Sequence, residues 1–505
     1  MKAFLLYRDR DFVPECALAP NEKELVQDLH LDVLLDSMAL GDKFILDVSR
    51  KVVLSSLRDP QAILYRQDII KDCLKNSSVV EEIYALALES LECERKLSWG
   101  IFSRYPSSIL SGSISVLEAF VEILKRLRSL AEEHSTAFRS EGFIQFFRML
   151  MVELSDSYIA AIKGHLRHLH FRGGVLISAE LGKGSQSTKY VLRKPRDLKK
   201  SFIQRVFSKK PTEYTFHIPD RDESGAKALS ELRDRGINLA ANALAQSKDH
   251  ILSFFLMLRT ELAFYLGCMN LHARLVEMGA SVCFPLPAGL DLRNHSSTGF
   301  YDVCLALSEG RSVVENDLNA DERNLVVITG ANQGGKSTFL RAIGVAQLMM
   351  QSGMFVAAES FSADLCRNLF THYKREEDVA MKSGKFDEEL SRMSGIVDAL
   401  TPDSLLLFNE SFAATNEREG SEIAHQIVRA LLATRVKVFF VTHMYEFANG
   451  FCEDKMDNAI FLRAERQADG RRTFKLVPGE PLQTSFGVDL YEEIFGAAAE
   501  RAGAG

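Results

Sequence analysis

The run Gly330-Ala331-Asn332-Gln333-Gly334-Gly335-Lys336-Ser337-Thr338 constrains this 505-residue chain more than any other feature. It fits G-x-x-x-x-G-K-[ST] in full, directly after the apolar run Leu325-Val326-Val327-Ile328 and directly before a helical pattern over residues 337–350. The chemistry needs that context. Glycines let the backbone fold tightly enough for its N–H groups to cradle phosphate oxygens. The helix that follows points the positive end of its dipole at the same anion. The motif therefore predicts a site for ATP and Mg²⁺ built from residues 330–338, with Lys336 on the β- and γ-phosphates and Ser337 on the metal ion.

Short apolar runs at 325–328, 405–408 and 438–441 alternate with helical patterns at 337–350 and 420–434, which predicts an α/β domain with a largely parallel sheet. The run ending at Phe408 is followed by Asn409 and Glu410. In P-loop ATPases this strand end carries a metal-binding Asp and then a Glu, so Glu410 is expected to activate the attacking water. Asn409 stands at the metal position with an oxygen acceptor but no charge. His443, after the run 438–441 and Thr442, is placed to sense or polarise a γ-phosphate. Ser383 and Gly384 open a further helical pattern and offer a hydroxyl and N–H groups to a phosphate.

Residues 21–279 are mostly helical in pattern, with apolar stripes that read as core. A break is expected near Gly142. Residues 173–220 interrupt the pattern with glycines, a proline and a short strand at Lys189–Leu192. The expected division is a helical domain over 1–278 with 173–220 as its tip, then an α/β domain over 279–505. The net charge is -7 and the pI about 6.0, which excludes a uniformly basic nucleic-acid coat. Yet from Lys183 to Lys210 ten basic residues meet one acid, Asp197. Lys183, Lys189, Arg193, Lys194, Arg196, Lys199, Lys200 and Arg205 form the candidate nucleic-acid patch. The eight cysteines have no C-x-x-C spacing, so structural zinc is not expected. Arg8, Asp9, Arg10 and Asp11 break any leader pattern, and no apolar run approaches the ~20 residues of a membrane span. A soluble, cytoplasmic protein without a membrane partner is expected.

Taken in order, these motifs resemble the MutS family of mismatch-repair ATPases. Thr329–Thr338 is similar to T-G-x-N-x-G-G-K-S-T. Gly353–Ala358 resembles G-x-x-V-P-A with Ala357 for Pro, and Leu369-Phe370-Thr371 resembles I-F-T. Asp378 with Ser383–Glu389 resembles the signature element, and Thr415–Gly420 the T-x-x-x-x-G stretch. Val441-Thr442-His443 is similar to A-T-H, Thr484–Gly487 to the S-Y-G region, and Arg66-Gln67 to R-Q in the helical core. The resemblance implies an α/β plus all-α protein: an ABC-type ATPase domain preceded by a long-helix lever with a small β-containing, clamp-like excursion. It also implies a homodimer in which Ser383 and Gly384 of one subunit complete the partner's ATP site. The helical core starts near residue 21, no F-x-E motif precedes it, and no Smr-like nuclease segment follows residue 500. A divergent short member without the mismatch-reading domain is expected.

Three functions fit these residues. The first is a dimeric DNA-binding ATPase that clamps branched or mispaired DNA in repair or recombination. In the second, Asn409 slows hydrolysis and the protein is an ATP-switched scaffold. The third is an ATPase acting on ribosomes or structured RNA.

Overall fold

The computed structural model describes residues 1–14, 18–19, 21–98, 105–194, 214–215, 217–289, 294–375, 384–467 and 470–483. Their contacts divide into two compact units, one formed by residues 1–3, 81–137 and 144–259, the other by 4–80, 138–143 and 260–505.

The first unit is built on helices. Pro106–His134 starts with Pro at its first turn, where no N–H is needed, and Asp156–Leu169 is capped by the Ser155 hydroxyl accepting from Tyr158 N. These helices and the 55-residue helix Glu223–Glu277, of which residues 223–259 belong to this unit, bury Leu110, Ile114, Leu117, Leu166, Ile237 and Ala241 in one cluster. Leu176–Leu181 and Ser187–Arg193 pair as an antiparallel hairpin. Leu192 packs against the helical cluster, and Ile177 lies so close to Gly236 that a Cβ there would sit 2.2 Å from its Cδ1. By length and mean hydropathy Pro106–Ala137 and Glu223–Glu277 could each cross a bilayer, contrary to the expectation from unbroken apolar runs. Their apolar windows are 50% and 67% buried inside the protein, as core helices are.

The second unit holds two sheets. Six strands, numbered here β1 (Leu325–Gly330), β2 (Leu369–Tyr373), β3 (Leu405–Asn409), β4 (Lys437–Val441), β5 (Ala459–Arg466) and β6 (Arg472–Pro478), lie in the order β6-β5-β1-β4-β3-β2. All neighbours are parallel except the edge pair β5–β6. Strands β1, β3 and β4 carry almost unbroken buried apolar runs because a parallel sheet is covered on both faces. An aromatic ladder fills one side: Phe408 stacks on Phe440 at 4.8 Å, and Phe440 meets Phe447 at 4.4 Å. A smaller sheet orders Leu286–Ala288, Ser360–Asp364, His295–Phe300 and Asn316–Asn319.

Arg66 and Gln67, singled out in the helical pattern, both serve as buried hydrogen-bond donors here. Arg66, fully buried, donates from Nε to Leu6 O at 2.8 Å and from Nη1 to Ser352 O at 3.1 Å. It thus ties the N-terminal segment to the residue that caps the helix Lys336–Gln351. Gln67 donates to Pro285 O at 2.9 Å. Gly142 does not break a helix. It is the second residue of Glu141–Glu153, where a Cβ would lie 2.5 Å from Ile69 Cδ1, so the glycine permits a close approach. The interruption expected near Gly142 comes just before it, at residues 135–140.

Candidate functional site

The loop after β1 and the helix α1 (Lys336–Gln351) build the centre of the site. Gly330 has φ 112° and Gly335 φ 89°, values that side-chain-bearing residues rarely adopt. A Cβ on Gly330 would also lie 2.8 Å from the backbone N of Ala464 on β5. Lys336 is 4% exposed and donates to Gly330 O at 3.1 Å and Ala331 O at 2.9 Å. Burial, opposed by the Glu410 carboxylate and reinforced by the Arg472 guanidinium, brings its ammonium down to about 8. A neighbouring anion would lift that value and satisfy the charge.

Strands β3 and β4 deliver the remaining groups to the same place. Ser337 Oγ donates to Asn409 Oδ1 at 2.9 Å. Glu410, one residue past β3 and held at φ 55°, pairs with His443 Nε2 at 2.9 Å. The hydrogen bond from His443 holds the Glu410 carboxyl below its ordinary value, against the opposing effect of burial. Parallel register explains the convergence: Val441 stands opposite Asn409, so the residues after both strand ends emerge side by side. Ligands of open α/β sheets gather at these carboxyl ends.

A cavity of about 620 Å³ opens beside these residues, lined by Asn332 to Phe339 and by Glu410. Its other walls come from segments the sequence motifs did not mark: Phe300, Tyr301, Asp302, Val313, Val314 and Phe474. Asp302 has a structural task as well. Its carboxylate caps the helix Val303–Glu309 through Cys304 N and Leu305 N and accepts from Arg341 Nε of α1 at 2.6 Å. His443 borders a second cavity, about 380 Å³, together with Glu417 and Glu446. The Glu410–His443 pair therefore joins the walls of two cavities.

The structure brings together Lys336, Ser337, Asn409, Glu410 and His443. Gly384 is the N-terminal cap position of the helix Lys385–Ala399 and does not line the first cavity. Ser383, Arg196, Lys199, Lys200 and Arg205 lie outside the described residues. Lys183, Lys189, Arg193 and Lys194 are exposed on the hairpin of the helical unit. Lys189 pairs with Glu180 at 2.9 Å and Arg193 donates to Ser178 Oγ at 2.8 Å. Among the described residues, no group of three or more His, Cys, Asp or Glu is arranged to hold a metal ion.

A central parallel strand, a glycine-bearing loop and a helix opened by a buried lysine define the class: this is a P-loop protein. Residues 58–278 match the family described as MutS2 N-terminal domain, and residues 326–496 match MutS domain V, an ABC-type ATPase domain. Human MutS protein homolog 4 is 29% identical over 151 residues, covering 30% of this chain and 16% of that protein. The DNA mismatch repair protein MutS of Thermotoga neapolitana is 38% identical over 140 residues, 28% of this chain and 18% of its own. The protein of the same name from Leptospira interrogans serogroup Icterohaemorrhagiae serovar copenhageni is 31% identical over 183 residues, 33% and 22%. The chain thus matches between 16% and 22% of the length of these relatives. It belongs to the MutS family.

Proposed function

We propose that this chain is an ATP-dependent DNA-binding protein, a homodimeric ATPase that closes as a clamp on branched or mispaired DNA. The observation that carries this reading is the convergence of Lys336, the Ser337–Asn409 contact and the Glu410–His443 pair beside one cavity. The residues fit both groups the motif implies. The buried Lys336 ammonium, bonded among the described residues to carbonyls alone, suits a phosphate, and the two side-chain oxygens of Ser337 and Asn409 suit a hard cation such as Mg²⁺. When bound, ATP supplies the phosphoanhydride to be cleaved and Mg²⁺ neutralises its charge.

The protein's own groups do the rest. Lys336 exchanges the Gly330 and Ala331 carbonyls for phosphate oxygens. Glu410, kept ionised by His443, takes the proton of the attacking water. His443 keeps that carboxylate aimed. In the dimer, Ser383 and Gly384 of one subunit meet the γ-phosphate held by Lys336 of the other. That contact exists only with ATP bound and in the closed state, so ATP has the differential affinity needed to shift the equilibrium towards closure. The exposed hairpin cations supply salt-dependent, sequence-independent attraction to DNA.

A second reading has one observation in its favour. Asn409 presents a neutral oxygen where a carboxylate would hold the metal ion more tightly, which suits a slow ATP-switched scaffold. Steady-state ATP hydrolysis by the wild type and Glu410→Ala, with and without four-way-junction DNA at two salt concentrations, separates the two. Stimulation by DNA that fades with salt and disappears in Glu410→Ala supports the clamp ATPase. ATP binding and dimerisation without turnover support the scaffold. Lys336→Ala is expected to lose nucleotide-dependent closure under either reading, and normal ATP binding by that variant sinks both.

A further inference from the structure

The edge strand β6 is fixed over the phosphate loop by contacts that leave one arginine with unspent donors. Asn316 holds the strand from the smaller sheet, donating to Phe474 O at 3.3 Å and accepting from Leu476 N at 2.7 Å. Phe474 O lies 3.4 Å from where a Cβ on Gly335 would be, and Phe474 itself lines the cavity. Two residues earlier, Arg472 reaches the loop: its Nη1 donates to Gln333 Oε1 at 3.0 Å. Gln333 is one of the cavity-lining loop residues.

Arg472 is poorly matched to these surroundings. A guanidinium keeps its charge at any ordinary pH and presents five N–H donors in a plane. Here one donor goes to a neutral amide, and Nε is buried with no hydrogen-bond partner. Among the described residues no carboxylate forms an ion pair with it. Its charge also acts on Lys336, against the protonated ammonium. Two cations thus face the same loop; Arg472 stands on Gln333 just outside the cavity lining, and a polyphosphate placed there would relieve both charges and accept from the terminal N–H groups of the guanidinium. Arginine–phosphate bonds are charge-assisted and are stronger than the neutral bond to Gln333 that one of them would replace.

We propose that Arg472 is a ligand of the bound nucleotide's terminal phosphates, supplied by the same subunit as the phosphate loop and held on Gln333 when no phosphate is present. This rests on the nucleotide reading of the cavity and adds a residue that the loop motif does not contain. The anchoring by Asn316 matters to it, because a strand fixed to the loop's own frame presents the guanidinium at a set distance.

The test is equilibrium binding of ATP, ADP and AMP to the full chain as wild type, Arg472→Gln and Arg472→Lys, with melting temperatures measured alongside. Loss of a charged hydrogen-bond donor predicts ATP binding about tenfold weaker or more in Arg472→Gln. AMP binding should change less than twofold, so that the loss follows the terminal phosphates. ATP affinity within twofold of wild type overturns the assignment, and so does an equal loss for ATP and AMP, which would mark a purely structural arginine. Should Arg472→Gln fold poorly, Arg472→Lys decides. It keeps the charge without the planar fork, so ATP should bind about threefold to tenfold weaker with AMP unchanged; unchanged ATP affinity overturns the proposal. A wild-type protein that binds no ATP would instead refute the nucleotide reading itself.

Discussion

Glu261 lies in the helix Glu223–Glu277 and is fully buried, yet it carries an acid group. Its Oε2 accepts from Leu5 N at 2.6 Å and Leu6 N at 3.4 Å, and its Oε1 accepts from Phe12 N at 3.0 Å. Those bonds pin the N-terminal segment, and each favours the ionised form. Burial acts the other way and prevails, with help from the Asp11 charge, pushing the carboxyl up to about 7 from an ordinary 4.5. Folded Glu261 therefore holds its proton more tightly than unfolded Glu261. Its contribution to stability is fully present below about pH 4.5 and is lost as pH rises through about 7. A shift of that size corresponds to roughly 3 kcal/mol over the whole window and about 2 to 3 kcal/mol between pH 5 and pH 8. Urea unfolding at pH 5 and pH 8 for the wild type and Glu261→Gln isolates this group from the other carboxylates. The variant, whose amide does not titrate, should lose about 2 to 3 kcal/mol less than the wild type on going from pH 5 to pH 8. Its absolute stability should also be lower at pH 5, because the amide has only one acceptor oxygen for three backbone donors. Parallel losses in the two proteins would refute the reasoning and mean that the three N–H bonds outweigh burial.

Asn409→Asp adds a charge at an oxygen already in contact with Ser337, and Mg²⁺-dependent ATP affinity or turnover should rise by about tenfold. Unchanged Mg²⁺ dependence would mean that this position does not serve the metal ion. Arg66→Met leaves the carbonyls of Leu6 and Ser352 buried without their donor and should lower unfolding stability by about 3 kcal/mol; a loss under about 1 kcal/mol in urea unfolding contradicts this. Replacing Lys183, Arg193 and Lys194 together by Gln should flatten the plot of log DNA affinity against log salt by about 0.9 per lost phosphate contact. An unchanged slope would remove the hairpin from the DNA-binding surface. Lys189 is left out of that variant because Glu180 already neutralises it.

Local pattern carried the nucleotide loop because its requirements are local: positive φ at Gly330 and Gly335, a helix start at Lys336, and an apolar strand before it. The strand ends at Asn409 and Val441 were legible for the same reason, since a buried parallel strand is a short unbroken apolar run. The cavity walls were not legible. Phe300, Tyr301, Val314 and Phe474 come from separate segments, and nothing in their neighbours' spacing distinguishes a ring that lines a cavity from one that fills a core. Arg472 was hidden in the same way: in sequence it is one of many arginines, and only the pairing of β6 on β5 brings it to Gln333. The break expected near Gly142 falls at residues 135–140, but the glycine's own role was not legible: a glycine in a helical pattern signals either a break or a close approach, and here the close approach is to Ile69, more than seventy residues away.

The sequence by itself determined the elements and the phosphate-binding loop, because hydrogen bonding and side-chain period within a dozen residues suffice for those. Only the tertiary structure decided that residues 4–80 pack with residues 260–505, that Glu410 meets His443, and that Arg472 faces the loop. These pairings depend on the order of strands in a sheet and on burial of apolar faces from distant segments, which no local pattern records.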